Sequence, residues 1–169
     1  FQALDNPKLE IRFLAFQALK KMGAKAESVL ENEFNNNENP RFRARAFWVL
    51  NQGPRSNEII SKAFDQANPN LKMMAIRAAK QKPFAEWSAL AAKAAKDQHA
   101  SVRRELAIAL RHLSGEAVNQ IWASLAMRHG GTDRWYLEAL GIGADGNWDE
   151  RYMAYTALKP ENSKGYADI

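Results

Sequence analysis

The sequence predicts an all-α protein, a right-handed α-α superhelix of about five helix pairs. Three observations predict it. Apolar residues recur at the i, i+4, i+7, i+8 spacing that lines one face of an α-helix. The same stripe returns about every 30 residues, the mark of a repeat array. Between the stripes lie Asn-Pro, Gly and Pro punctuation, and no segment alternates convincingly with the period of a strand.

The first helix of each pair is anchored on one polar residue, Arg12, Arg43, Lys72, Arg103 and Asp133 in turn. The stripe around the first anchor is Ile11, Ala15, Ala18, Leu19. It then reads Phe42, Ala46, Val49, Leu50, followed by Leu71, Ala75, Ala78, Ala79 and by Val102, Leu106, Ala109, Leu110. The fifth copy is weaker: Thr132, Tyr136, Ala139, Leu140. Alanine in mid-stripe lets a neighbouring helix come close while the larger flanking residues fill its groove. Asn6-Pro7, Asn39-Pro40 and Asn68-Pro69 precede three of these helices, and His99-Ala100-Ser101 holds the same place before a fourth. Asparagine caps an exposed helix N-terminus, and proline suits the first turn.

The second helices are expected at 24–34, 56–65, 84–96, 115–128 and 148–158. Gly23, Gly53-Pro54, Pro83, Ser114-Gly115 and the run Gly141 to Gly146 separate the two helices of each pair. One pair cannot cover its own apolar face, but stacked pairs share a core. The ankyrin and tetratricopeptide signatures are missing, and the period is shorter than in ordinary HEAT or armadillo repeats. The pattern resembles the short HEAT-like class seen in phycobilisome-lyase-type repeats. In HEAT-type arrays an acidic residue six places before the anchor often bonds the cation of a neighbouring repeat. Asp97 holds that place here, and Asn6, Asn37 and Gln66 hold it in other copies. The expected domain is one repeat array over 1–160, with 161–169 as a tail or the start of a linker.

Composition narrows the function. The chain of 169 residues is 46% hydrophobic and 25% charged, an ordinary globular balance. It has no cysteine, which excludes disulfides, thiolate metal sites, c-type haem attachment and a cysteine nucleophile within these residues. No apolar run is long enough for a membrane span, and no signal peptide is visible. The chain opens Phe1-Gln2-Ala3-Leu4, like the end of a helix, so it is expected to be a piece of a longer protein. The net charge of +5 is uneven. Residues 41–82 carry Arg41, Arg43, Arg45, Arg55, Lys62, Lys72, Arg77, Lys80 and Lys82 against only Glu58 and Asp65. Such a stretch attracts phosphate or an acidic partner, or simply coats exposed helix faces.

Three motifs invite chemistry. Gly141-Ile142-Gly143-Ala144-Asp145-Gly146 matches G-x-G-x-x-G, but a dinucleotide site needs a strand before it, and Arg134 to Leu140 are helical by period. These glycines are expected to stop a helix and allow a tight loop. Asp145, Asn147 and Asp149 alternate like calcium ligands, yet Glu150 and Thr156 stand where that motif needs Gly and Glu, so helix capping by Asn147 or Asp149 is the expected role. His99, His112 and His129 have no metal-pair spacing, and no nucleophile elbow is present. No catalytic, cofactor-binding or metal-ligating residue is assigned, and no cofactor is expected.

Five tryptophans are many for this length. Trp87 and Trp122 fall on second helices and are expected to pack. Trp135, Tyr136 and Trp148 flank the glycine run, with Tyr152 and Tyr155 following. Such a cluster suits a binding surface, or the sealed end of a stack.

Residues 133–155, Asp133-Arg134-Trp135-Tyr136 through Asn147-Trp148-Asp149-Glu150-Arg151-Tyr152-Met153-Ala154-Tyr155, resemble a stretch of large bacterial proteins labelled membrane-bound dehydrogenases. Those join a sugar-dehydrogenase-like propeller, a HEAT-like array and a c-type cytochrome module. The resemblance implies an exported or periplasmic parent in which this chain is the helical connector. It does not confer dehydrogenase activity, because the chain has no propeller and no Cys-x-x-Cys-His. The expected function is a non-catalytic protein-interaction or scaffold module. Its expected surface is Trp135, Tyr136, Asp145, Asn147, Trp148 and Asp149, turned toward a neighbouring module of the parent or another protein. The alternative is a nucleic-acid-binding HEAT-like domain in the style of alkylpurine DNA glycosylases, ranked below a protein partner.

Overall fold

The computed structural model describes residues 1–158, and these are all-helical, with no strand among them. The expected tail at 161–169 lies outside the described residues. After a short 3-10 turn, Gln2–Asp5, the helices are α1 (Leu9–Met22), α2 (Ala24–Asn36), α3 (Pro40–Leu50), α4 (Ser56–Phe64) and α5 (Pro69–Ala79). They continue as α6 (Phe84–Ala94), α7 (Ala100–Ala109), α8 (Glu116–Ala126), α9 (Arg134–Ala144) and α10 (Trp148–Leu158). The chain divides into two compact units, residues 1–66 and residues from 67 onward.

The helix starts obey the local chemistry. Asn39 and Asn68 accept from the backbone N–H of Arg41 and Asn70 at 3.0 and 2.9 Å, with Pro40 and Pro69 opening the helices behind them. Asn6-Pro7 behaves differently. Asn6 Oδ1 takes the Lys8 N–H, and α1 begins only at Leu9. His99 makes no side-chain cap; Asp97 Oδ1 instead accepts the His99 N–H at 2.9 Å.

In the first unit α2 packs on α3, α1 touches both, and α4 leans on α3. The core is Leu30, Phe34, Ala46, Phe47, Val49 and Leu50, joined by Ile59, Ile60 and Phe64. Phe34 and Phe47 meet as tilted rings 5.9 Å apart. The expected first stripe is not buried: α1 has no buried residue, Ile11 is exposed, and so are Leu9, Phe13 and Leu14. Gly23 alone separates α1 from α2, with φ +54°, where a side chain would be strained.

In the second unit the first helices α5, α7 and α9 lie side by side in order, and the second helices α6, α8 and α10 do the same. Their stripes are buried as expected: Leu71, Ala75, Ala78 and Ala79 on α5, then Val102, Leu106 and Ala109 on α7 with Leu110 just after it. Trp87 and Trp122 are both buried. Ala46 and Ala75 have no exposed surface. Replacing either with leucine should cost about 1–3 kcal/mol by overpacking. Urea melts read this directly, and an unchanged midpoint would show that these alanines do not set helix spacing.

The fifth stripe is shifted. The anchors Arg43, Lys72 and Arg103 each stand at the fourth residue of their helix, but Asp133 is the cap before α9, its side chain accepting the Tyr136 N–H at 3.0 Å. The fourth residue of α9 is Leu137. The matching stripe is therefore Tyr136, Leu140, Gly143 and Ala144, all buried, while Thr132 is exposed.

Two polar contacts between repeats follow the expected offset, but Asn37 does not: its side chain bonds Glu33 and the Asn39 N–H, while Arg12 bonds the Asn6 and Pro7 carbonyls. Arg43 Nη2 donates to Gln66 Oε1, and Lys72 Nζ pairs with Asp97 at 2.6 Å. Partial burial works against the Asp97 charge. The Lys72 ammonium and the His99 N–H outweigh it and hold the carboxyl below the usual range. With the fifth anchor at Leu137, Gly131 holds this place before α9 and offers no side chain. Arg103 instead bonds the Asp97 and Gln98 carbonyls and the Tyr136 hydroxyl.

Candidate functional site

The residues expected to form an interaction surface divide between core and exterior. Trp135, at the second position of α9, is 71% exposed. Trp148, at the first position of α10, is 52% exposed, its ring meeting that of buried Trp122 edge-on at 6.3 Å. Asp149 is exposed in the first turn of α10, where a carboxylate is favoured by the helix dipole. Asn147 precedes that turn, and its backbone carbonyl accepts the Arg151 N–H.

Tyr136 is not part of that exterior. It is 1% exposed, donates its hydroxyl to the Leu125 carbonyl at 3.0 Å and accepts from Arg103 Nε at 3.2 Å. Burial raises its pKa above the ordinary phenol value, with the Arg103 guanidinium opposing. The residue ties together three helices: α7 through Arg103, the end of α8 through Leu125, and α9 itself. Asp145 is spent as well, accepting from Arg111 Nε and Nη2 at 3.0 and 2.7 Å.

The glycine run is not a loop. Helix α9 passes through Gly141 and Gly143 and ends at Ala144, so neither glycine stops it, and only Gly146 takes a positive φ, +75°. The reason Gly143 is a glycine lies in packing. A Cβ there would stand 2.3 Å from the Ala107 carbonyl oxygen and 3.3 Å from Trp122 Cδ1. The bare Cα lets α9 close on α7, where the other copies use alanine or valine. The connection that departs most from the short turns is residues 127–133, between α8 and α9, which inserts the residues that shift the fifth stripe. There His129 is buried, and its Nε2 lies 3.0 Å from the Asp133 carbonyl oxygen.

One residue with a strong structural role carried no periodic signal. Arg151 has no exposed surface, and its Nη2 donates to the Leu110 and Leu113 carbonyls at 3.3 and 3.0 Å, beyond the end of α7. Its Nε and Nη1 are buried without a hydrogen-bond partner, and burial lowers its pKa. A cation is at home beside the orphan carbonyls of a helix C-terminus. An arginine at the fourth position of α10 reads in sequence as a solvated charge, so only the tertiary structure assigns it.

The basic stretch at 41–82 is partly neutralised in place. In the first unit Arg45 pairs with Asp5, Arg55 with Glu27, Glu31 and Glu58, and Lys62 with Glu58. In the second, Lys72 pairs with Asp97 and Arg77 with Glu105. The acids come mostly from other helices, which a local charge count does not see. Among the described residues no group of three or more His, Asp or Glu is placed to hold a metal ion, and no helix is long and apolar enough to cross a membrane. No protein-family model matches the chain, and no curated protein matches it.

Proposed function

We propose that the chain is a non-catalytic interaction or spacer module, a short HEAT-like repeat array whose α9–α10 pair meets a neighbouring protein module. The observation that carries this reading is the exposure of two tryptophans, Trp135 and Trp148, in one helix pair. Indole rings are among the largest apolar groups a surface can display, and exposed aromatics of this kind dominate the energetics of protein interfaces. Tyr152, Met153 and Leu158 extend the apolar exterior along α10. The resemblance of residues 133–155 to the connector of large redox proteins supports a module of the same exported parent as the partner. The pairing of the 41–82 cations with carboxylates weakens the nucleic-acid alternative, which needs them free for phosphate.

Hydroxyl-radical footprinting tests the proposal. In the isolated chain Trp135 and Trp148 should oxidise rapidly while Trp87 and Trp122 stay protected. In a polypeptide that joins the chain to the proposed neighbouring module, both exposed rings should be protected by about tenfold, the change expected when an aromatic becomes an interface anchor. Equal oxidation of both rings in the two samples would overturn the proposal.

A further inference from the structure

The second helices α8 and α10 border an open groove of about 600 Å³ that the exposed tryptophans do not line. Met153, Ala154 and Leu158 of α10 give it an apolar lining. Glu116, at the start of α8, and Glu150, in the first turn of α10, stand at its edges. Neither carboxylate belongs to an ion pair within the described residues; Glu116 accepts only the Gln120 amide at 3.0 Å. Asn119 of α8 lines the same groove.

We infer that this groove takes a basic amphipathic helix of a partner protein. This deepens the interaction reading above and rests on it. The apolar lining suits the i, i+3, i+4, i+7 face of a docked helix. The two unpaired carboxylates at the edges select lysine or arginine flanking that face. The chain as a whole carries +5, so the attraction for a cationic peptide has to come from local acidic groups such as these.

The test uses two synthetic helical peptides with the same leucine face, one flanked by lysine and one by glutamate, titrated into the isotope-labelled chain and followed by amide shifts. The lysine peptide should perturb α8 and α10 around Asn119 and Met153, and bind about tenfold more tightly than the glutamate peptide. The double change E116Q/E150Q, at exposed positions, should weaken the lysine peptide about fivefold, as loss of two exposed ion pairs implies, without altering the circular dichroism. Ala154→Trp should fill the groove and abolish binding. Equal affinity for both peptides, or shifts confined to the α9 exterior around Trp135, would overturn the inference. So would a dimer in sedimentation velocity that Ala154→Trp dissolves, which would give the groove to a second copy. A gain of affinity in a chain ending at Leu158 would give the groove to the chain's own tail and would overturn the inference equally. Protection of Trp135 in the parent polypeptide does not depend on Glu116 or Glu150, so the broader interaction proposal stands or falls separately.

Discussion

Replacing Gly143 with alanine should destabilise the second unit by about 3 kcal/mol or more, at the upper end of overpacking costs. Helix propensity alone argues the other way, since alanine in place of glycine within a helix is worth about 1 kcal/mol. The packing term wins because the added methyl meets the Ala107 carbonyl oxygen at 2.3 Å, a backbone atom of α7 that can move only if the helix moves. Gly141 is the internal control. It lies in the same helix, two residues earlier, and a Cβ there meets nothing within 4 Å. Gly141→Ala should therefore raise stability by up to about 1 kcal/mol. Urea unfolding of the two variants should move the midpoint in opposite directions. The same direction for both would mean that α7 and α9 do not approach as closely as described.

Trp122→Ala should cost about 3–5 kcal/mol, the range for deleting a large buried aromatic. Trp122 is buried, its Nε1 donates to the Leu140 carbonyl at 3.0 Å, and its ring supports the edge of Trp148. Truncation removes the packing, takes the indole hydrogen bond from the Leu140 carbonyl and frees Trp148, so the folded variant should also show a red-shifted tryptophan emission. Combining this change with Gly143→Ala distinguishes two sources of the clash. Trp122 is the looser of the two contacts at 3.3 Å, so the double variant should remain as unstable as the sum of the two, less only a small coupling. A substantial rescue would identify the indole, rather than the α7 backbone, as what excludes a side chain at position 143.

Most of the helical architecture was legible in the sequence because it depends on local chemistry. The Asn-Pro steps at 39–40 and 68–69 mark helix starts through a side-chain acceptor and a fixed φ, and both act within a few residues. The stripes on α5 and α7 read correctly because burial follows a period of 3.6 wherever a helix has a neighbour. Where no neighbour covers the face, the same pattern misleads: α1 carries a stripe and buries none of it.

The fifth repeat shows the limit of that reading. A strict spacing of about 30 residues places its anchor at Asp133, four residues before the true position, because the longer 127–133 connection is invisible to a periodic search. With the offset wrong, Gly141 and Gly143 look like a helix stop, since glycine at a helix end and glycine at a close helix crossing are the same letter. The site divides along the same line. Exposure of Trp135 and burial of Tyr136, adjacent residues on one helix, follow from a rotation of about 100° per residue once α9 is in place. The sequence alone determined an all-α chain of paired helices, with their capped starts and alanine-bearing stripes, because propensity, capping and periodicity are local. The tertiary structure alone decided that Arg151 is a buried cap beyond the end of α7, that Gly143 is a contact surface for α7, and that Arg45, Arg55, Lys62, Lys72 and Arg77 of the basic stretch meet carboxylates. Each of those depends on groups brought together from distant parts of the chain, and their partners can be named only once the helices have packed.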